Sequence, residues 1–128
     1  FSHCCDAFLI GWSNKKIGID LERSDRSFSA NRIANRYFNQ RDLKNLNQEE
    51  FRVAILEQWL IKEAAIKWQR GSIAKDLSHW NFYKDSSTAE HDLLRCKVRI
   101  HQIKYGPWSI AVANNNLDFK NNPIICAR

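Results

Sequence analysis

A single long helix constrains this fold most. Asn47-x-x-Glu50 has the form of a capping box, and Gly71 offers a stop, so one helix is expected from about Gln48 to Arg70. At 1.5 Å per residue it would be roughly 34 Å long. A chain of 128 residues folds as about one compact domain, which a rod of that length crosses from side to side. Everything else must pack around it. Phe51, Ile55, Trp59 and Ile66 are the residues expected to meet a sheet.

The second half of that helix carries an unusual face. Trp59, Lys62, Glu63, Ile66 and Lys67 fall within an arc of roughly 140°. A carboxylate and two ammonium groups thus share a face with a large indole, whereas a helix that only covers a core sends its charges to the other side. The plain alternative is an exposed Glu63–Lys67 pair at i,i+4, contributing a few tenths of a kcal/mol. Trp59 itself is expected to be a core anchor.

A second stretch adds to this. Ile17, Ile19 and Leu21 alternate with Gly18, Asp20 and Glu22. On a strand the two acids lie on one face about 7 Å apart. Two unpaired carboxylates that close repel each other. They make sense around a hard cation such as Mg²⁺, which takes oxygen ligands. An edge strand with a solvated outer face is the alternative.

The rest of the chain supplies strands and short helices. Ala7 to Trp12 and Lys16 to Glu22 are expected to form a hairpin around Ser13-Asn14-Lys15, bringing Ser2 and His3 towards Asp20 and Glu22. Arg23 to Ser27 is a polar linker. Ala30, Ile33, Ala34 and Tyr37 have helical spacing, with Ser27 or Ser29 as N-cap. A turn at Asn39 and a short helical piece through Leu43 and Leu46 precede the long helix. After a loop over residues 72–78, Trp80 to Lys84 is a short strand, and Asp85 to Asp92 a polar, mobile insertion. Leu94 to Tyr105 alternates, Gly106-Pro107 turns, and Trp108 to Ala113 closes the sheet. The asparagine-rich tail is expected to be irregular. The fold class is therefore α+β: one domain over 1–128, with a long helix packed across a small antiparallel sheet and shorter helices at one side.

Composition narrows the function. No run of apolar residues is long enough to span a membrane, and no signal peptide is present. The chain begins at Phe1 and has no methionine, so it is expected to be the later part of a longer protein. Cys4, Cys5, Cys96 and Cys126 follow neither a metal-ligand spacing nor a disulfide pattern, which fits reduced thiols in the cytoplasm. His79, His91 and His101 are scattered and given no role. The net charge of +6 calls for an anionic partner. Arg23, Arg26, Arg32, Arg36 and Arg41 form the densest basic group, with no nucleic-acid motif beside them. A nuclease-like Mg²⁺-dependent phosphoester enzyme and a basic nucleic-acid-binding module are the competing readings. The former usually has a tighter acid-x-lysine spacing than Glu63 and Lys67 provide.

Gly18-Ile19-Asp20-Leu21-Glu22, followed by Trp59-x-x-Lys62-Glu63-x-x-x-Lys67, resembles the paired signature of the 4′-phosphopantetheinyl transferase superfamily. Phe1-Ser2-His3-Cys4 is similar to the N-[IL]-S-H-S segment of its two-halved, surfactin-synthetase-activating type, with Cys4 in place of the second serine. The resemblance implies a pseudo-dimer of which this chain is the second half. It implies transfer of the phosphopantetheine arm of coenzyme A to a serine of an acyl or peptidyl carrier protein. Asp20, Glu22 and Glu63 would hold Mg²⁺; Lys67 would contact the transferred phosphate; Lys62, Ser2 and His3 would bind the coenzyme; Glu63 or Glu22 would act as general base. Without a first half, an exposed apolar sheet face and self-association are expected.

Overall fold

The computed structural model describes residues 1–38, 43 and 46–116. The turn at Asn39 and the helical piece leading to Leu46 fall for the most part outside the described residues, as does the tail beyond Asn116. The elements in order are β1 (Ser2–Cys4), β2 (Ala7–Leu9), β3 (Gly18–Arg23), α1 (Ala30–Tyr37), α2 (Gln48–Gln69), α3 (Ile73–Asp76), β4 (Trp80–Tyr83), β5 (Thr88–His91), β6 (Cys96–Tyr105) and β7 (Trp108–Ala113). The main sheet is antiparallel, in the order β3-β7-β6-β5-β4. The α+β expectation holds, with the long helix laid against a small antiparallel sheet. Among the described residues no helix is long and apolar enough to cross a membrane.

The capping box of α2 forms as its sequence predicts. Glu50 N donates to Asn47 Oδ1 at 2.9 Å, and Asn47 N donates to Glu50 Oε2 at 3.0 Å. The stop differs. Arg70, not Gly71, takes the left-handed conformation, with φ 65°. Gly71 serves another purpose, since a Cβ there would lie 2.5 Å from Asp76 Oδ2, which accepts a hydrogen bond from Ser72 N.

α2 runs antiparallel to β3, with Trp68 over Gly18 at one end and Arg52 bonded to the Ser24 carbonyl at the other. Small residues let the two meet. A Cβ on Gly18 would sit 2.0 Å from the Ala64 carbonyl oxygen and 2.3 Å from Trp68 N, both backbone atoms that cannot step aside. Across the strand pair Gly18 faces Ala113, and Asp20 faces Ala111. This close seam brings the acid-bearing face of β3 under the helix. The solvated-edge alternative is thereby excluded, for Asp20 and Glu22 are 3% and 4% exposed.

Two cores result. The main one joins Leu60, Ile61, Ala64 and Ala65 of α2 to Trp80, Val98, Ile100 and Ala111. On the opposite face of the sheet, Ile19, Leu21, Ile110 and Val112 pack with Cys4, Ala7 and Leu9. Trp59 is partly buried against the main core, edge-on to Tyr37 of α1, and behaves as an anchor.

Two expectations are corrected. The Ala7–Trp12 strand does not pair with β3. It stops at Leu9 and pairs with β1 through a tight turn at Cys5, where φ is 53°. β3 takes β7 as its partner instead, because a ten-residue β6 followed by Gly106-Pro107 delivers β7 with a full six-residue register. The stretch Asp85–Asp92 is not a mobile insertion either. It contains β5, hydrogen-bonded on both sides, with Ala89 and His91 buried. Its inward residues are a small alanine and a polar histidine, which give almost no hydrophobic alternation.

Candidate functional site

The seam between β3 and the second half of α2 gathers the charged residues singled out above. Lys67 Nζ donates to Asp20 Oδ1 at 2.6 Å and to Ser2 Oγ at 3.1 Å, and lies 3.6 Å from Glu63 Oε2. Ser2 Oγ donates to Asp20 Oδ1 at 2.7 Å and accepts from Leu21 N at 3.3 Å. Thus β1 reaches the cluster without the expected hairpin, folded against β3 by the second core. Glu22, one strand repeat along, is bound by Arg26 Nη1 and accepts from Cys4 Sγ at 3.4 Å. Asp20, Glu63, Lys67 and Ser2 therefore come together, with Glu22 beside them, near enough for its charge to act on Asp20 and Glu63.

His3 and Lys62 do not join them. β1 alternates, so Ser2 and Cys4 face inward and His3 outward, where its ring stacks on the exposed Phe8. Lys62 turns to the far side of α2. Its ammonium donates to the Leu77 carbonyl at 3.2 Å and lies over the Phe38 ring. One helix position separates it from Glu63, about 100° of rotation, and that is enough to reach a different neighbourhood. Arg26 and Cys4 are the contacts that motif reading passed over. Arg26 counted only as one member of a basic group, and Cys4 only as a departure from serine. Inward alternation from Ser2 is the signal that places Cys4.

The electrostatics of the cluster are those of acids short of positive charge. Burial pushes the Asp20 carboxyl above the usual carboxylate range, against the opposing pull of Lys67 and Ser2. Burial, and then the charge on Asp20, push Glu63 up to about 7. Asp20 Oδ2 is the one buried side-chain polar atom without a hydrogen-bond partner among the described residues. Such an orphan costs on the order of 1–3 kcal/mol unless something binds it. Among the described residues, no three His, Cys, Asp or Glu side chains converge as a ready metal cage. Lys67 bridges Asp20 and Glu63, and Arg26 neutralises Glu22.

An α+β fold with buried acids and a lysine on a helix–strand seam defines a site short of positive charge, suited to a cation, and comparison with known families makes it specific. A model of the 4′-phosphopantetheinyl transferase superfamily matches residues 16–118. The chain belongs to that superfamily. The match takes in β3, α2 and the whole main sheet, and leaves the Ser2-His3 segment outside. No curated protein matches the chain. Membership supports a transferase.

Proposed function

We propose that this chain transfers the 4′-phosphopantetheine arm of coenzyme A to a serine of an acyl or peptidyl carrier protein, with Mg²⁺, as the second half of a two-halved enzyme. The observation that carries the reading is the orphaned Asp20 Oδ2 in a cluster with Glu63 and Lys67. Hard carboxylate oxygens on Asp20, Glu22 and Glu63 suit Mg²⁺, and the unpartnered Asp20 oxygen is a free donor for it. When bound, the ion would offset the pyrophosphate charge as a Lewis acid.

The protein's own groups do the rest. Lys67 is 34% exposed at its side chain while Asp20 is buried, so its ammonium has an open side that a phosphate oxygen can reach. There it would stabilise the charge that develops as the serine oxygen bonds to phosphorus and the pyrophosphate bridge breaks. Adenosine 3′,5′-bisphosphate leaves. Of the two candidate bases, Glu63 is the better placed. Its pKa of about 7 suits proton uptake from the serine hydroxyl, directly or across a water, whereas Glu22 is held by Arg26 and Cys4. Ser2 holds Asp20 in place. His3 and Lys62 fall outside this assignment.

The two-halved reading rests on the N-terminal arm. Phe1, Phe8, Ile10 and Trp12 are 82%, 76%, 79% and 96% exposed. The exposed apolar surface is thus this arm rather than the bare sheet face expected, because β1 and β2 cover the sheet at β3 and β7. Such side chains suit an interface with a first half or a second copy. Arg26, bound to Glu22, adds a basic group beside the site that fits an acidic carrier protein. Mass spectrometry of an apo carrier protein incubated with the full-length enzyme, coenzyme A and Mg²⁺ is the test. A gain of one phosphopantetheine is expected; an unmodified carrier across acyl and peptidyl types would refute the proposal.

A further inference from the structure

Cys4 and Cys5 sit at the turn of the β1–β2 hairpin with their sulfur atoms 3.7 Å apart. They are unlike in every other respect. Cys4 is buried, packs in the second core, and donates its thiol proton to Glu22. Cys5 is exposed, on a left-handed residue at the turn. An exposed thiol in van der Waals contact with a buried one has the proximity that disulfide formation needs. Two residues before Cys4, the same strand carries Ser2, whose hydroxyl bridges Asp20 and the Leu21 amide at the free edge of β3. Ser2 and Cys4 thus share the inward face of β1, one touching Asp20 and the other Glu22.

We propose that Cys4 and Cys5 form a redox-modifiable vicinal dithiol that controls the docking of β1 on the acid cluster. A peroxide oxidises the Cys5 thiol to a sulfenic acid and is itself reduced, releasing water. The Cys4 sulfur then attacks the Cys5 sulfur, and the sulfenic hydroxyl leaves with the Cys4 proton as a second water. The product is a Cys4–Cys5 disulfide that no longer donates to Glu22. A dithiol reductant reverses it. Closing the bond draws Cys4 out towards the turn, so Ser2 loses its grip on Asp20 and on the Leu21 amide.

The test uses hydrogen peroxide, peptide-mapped mass spectrometry and amide hydrogen exchange, and none of its readouts involves coenzyme A, metal or transfer. It can therefore fail while the proposed function stands, and the reverse. The peptide bearing Cys4 and Cys5 should lose two hydrogens before Cys96 is modified. Exchange at the Leu21 amide should speed up by about tenfold or more, and the reductant should restore it. Cys5→Ser, an exposed change, should keep Leu21 protected throughout. Cys4 and Cys5 remaining alkylatable while Cys96 oxidises would overturn the proposal. So would Cys5 pairing with Cys126 or with a second chain, or an internal disulfide that leaves Leu21 exchange unchanged.

Discussion

Two aspartates, one on each side of α2, show what separates a site from a structural lock. Asp76 lies among α2, α3 and β5 with every oxygen used. Its Oδ1 accepts from Gln69 Nε2 and His91 Nε2, each at 3.1 Å, and its Oδ2 accepts from Ser72 N at 2.7 Å. Gln69 in turn accepts from Trp80 Nε1 at 2.8 Å, and His91 Nδ1 accepts from Leu94 N at 3.2 Å. Although burial opposes it, the Ser72 amide, Gln69 and His91 together hold the Asp76 carboxyl below its usual range. Asp20 is buried under the same helix, keeps one oxygen unpartnered and has its pKa raised. A fold that satisfies a half-buried acid completely and leaves a fully buried one short has no structural reason for the second. The shortfall marks where a ligand is expected.

Substitution should break that symmetry in opposite directions. Asp20→Ala is expected to lower transfer by about 10³-fold or more in the full-length protein while leaving the melting temperature unchanged or raised. Its removal relieves a buried, under-partnered carboxyl, and Lys67 can rehydrate. Steady-state transfer beside thermal unfolding reads both quantities. A folded Asp20→Ala variant with full activity would end the assignment. Asp76→Ala should do the reverse, costing about 2–4 kcal/mol of stability as three donors lose their acceptor. The fraction that remains folded should transfer normally. Urea unfolding and an active-fraction assay would show whether the two effects separate.

How much of this was legible in the sequence follows the same divide. Periodicity put Asp20 and Glu22 on one strand face and Glu63 and Lys67 on one helix face, and the family resemblance joined the two. Lys62 could not be excluded by spacing alone, since its direction depends on the Leu77 carbonyl and the Phe38 ring, contacts distant in sequence. The Asp76–His91 lock was invisible for the same reason. Its members come from α2, α3 and β5, and β5 shows no apolar alternation. The wrong hairpin has a similar cause, because local turn residues at Ser13-Asn14-Lys15 carry no knowledge of β7.

Acidity gives a third way to sharpen the contrast. The folded chain holds the Glu63 proton up to about pH 7, against an ordinary value of 4.5. Because the folded pKa is raised, its contribution to stability is full below about pH 4.5 and is lost as pH climbs to about 7. The loss should be on the order of 3 kcal/mol in metal-free protein. Asp20, also raised, adds in the same direction. Glu63→Gln should flatten the slope in this window, and Mg²⁺ should oppose it by stabilising the ionised form. Urea unfolding from pH 4.5 to 8, with and without Mg²⁺, measures all three. A wild-type stability that rises steadily over that range would contradict the strained-acid reading.

The smallest expected effect, and the finest test, concerns Lys62. It lies beside Glu63 in sequence but on the locked side of the helix, buried, with the Leu77 carbonyl as its hydrogen-bond acceptor. Burial lowers its pKa from 10.5 to about 8. With the folded pKa depressed, the unfolded chain binds the extra proton between about pH 8 and 10.5, so stability rises with pH across that window. Lys62→Met keeps the length and apolar stem, removes a buried ammonium and gives up one hydrogen bond. Those terms oppose each other, so stability at pH 7 should stay within about 1 kcal/mol of wild type. The rise above pH 8 should shrink. Transfer should change by no more than about threefold. A loss of about 10²-fold with an unaltered melting curve would mean that Lys62 reaches the phosphates during turnover. The two sides of α2 would then exchange a residue between lock and site, and the comparison drawn from the aspartates would hold only for the resting chain.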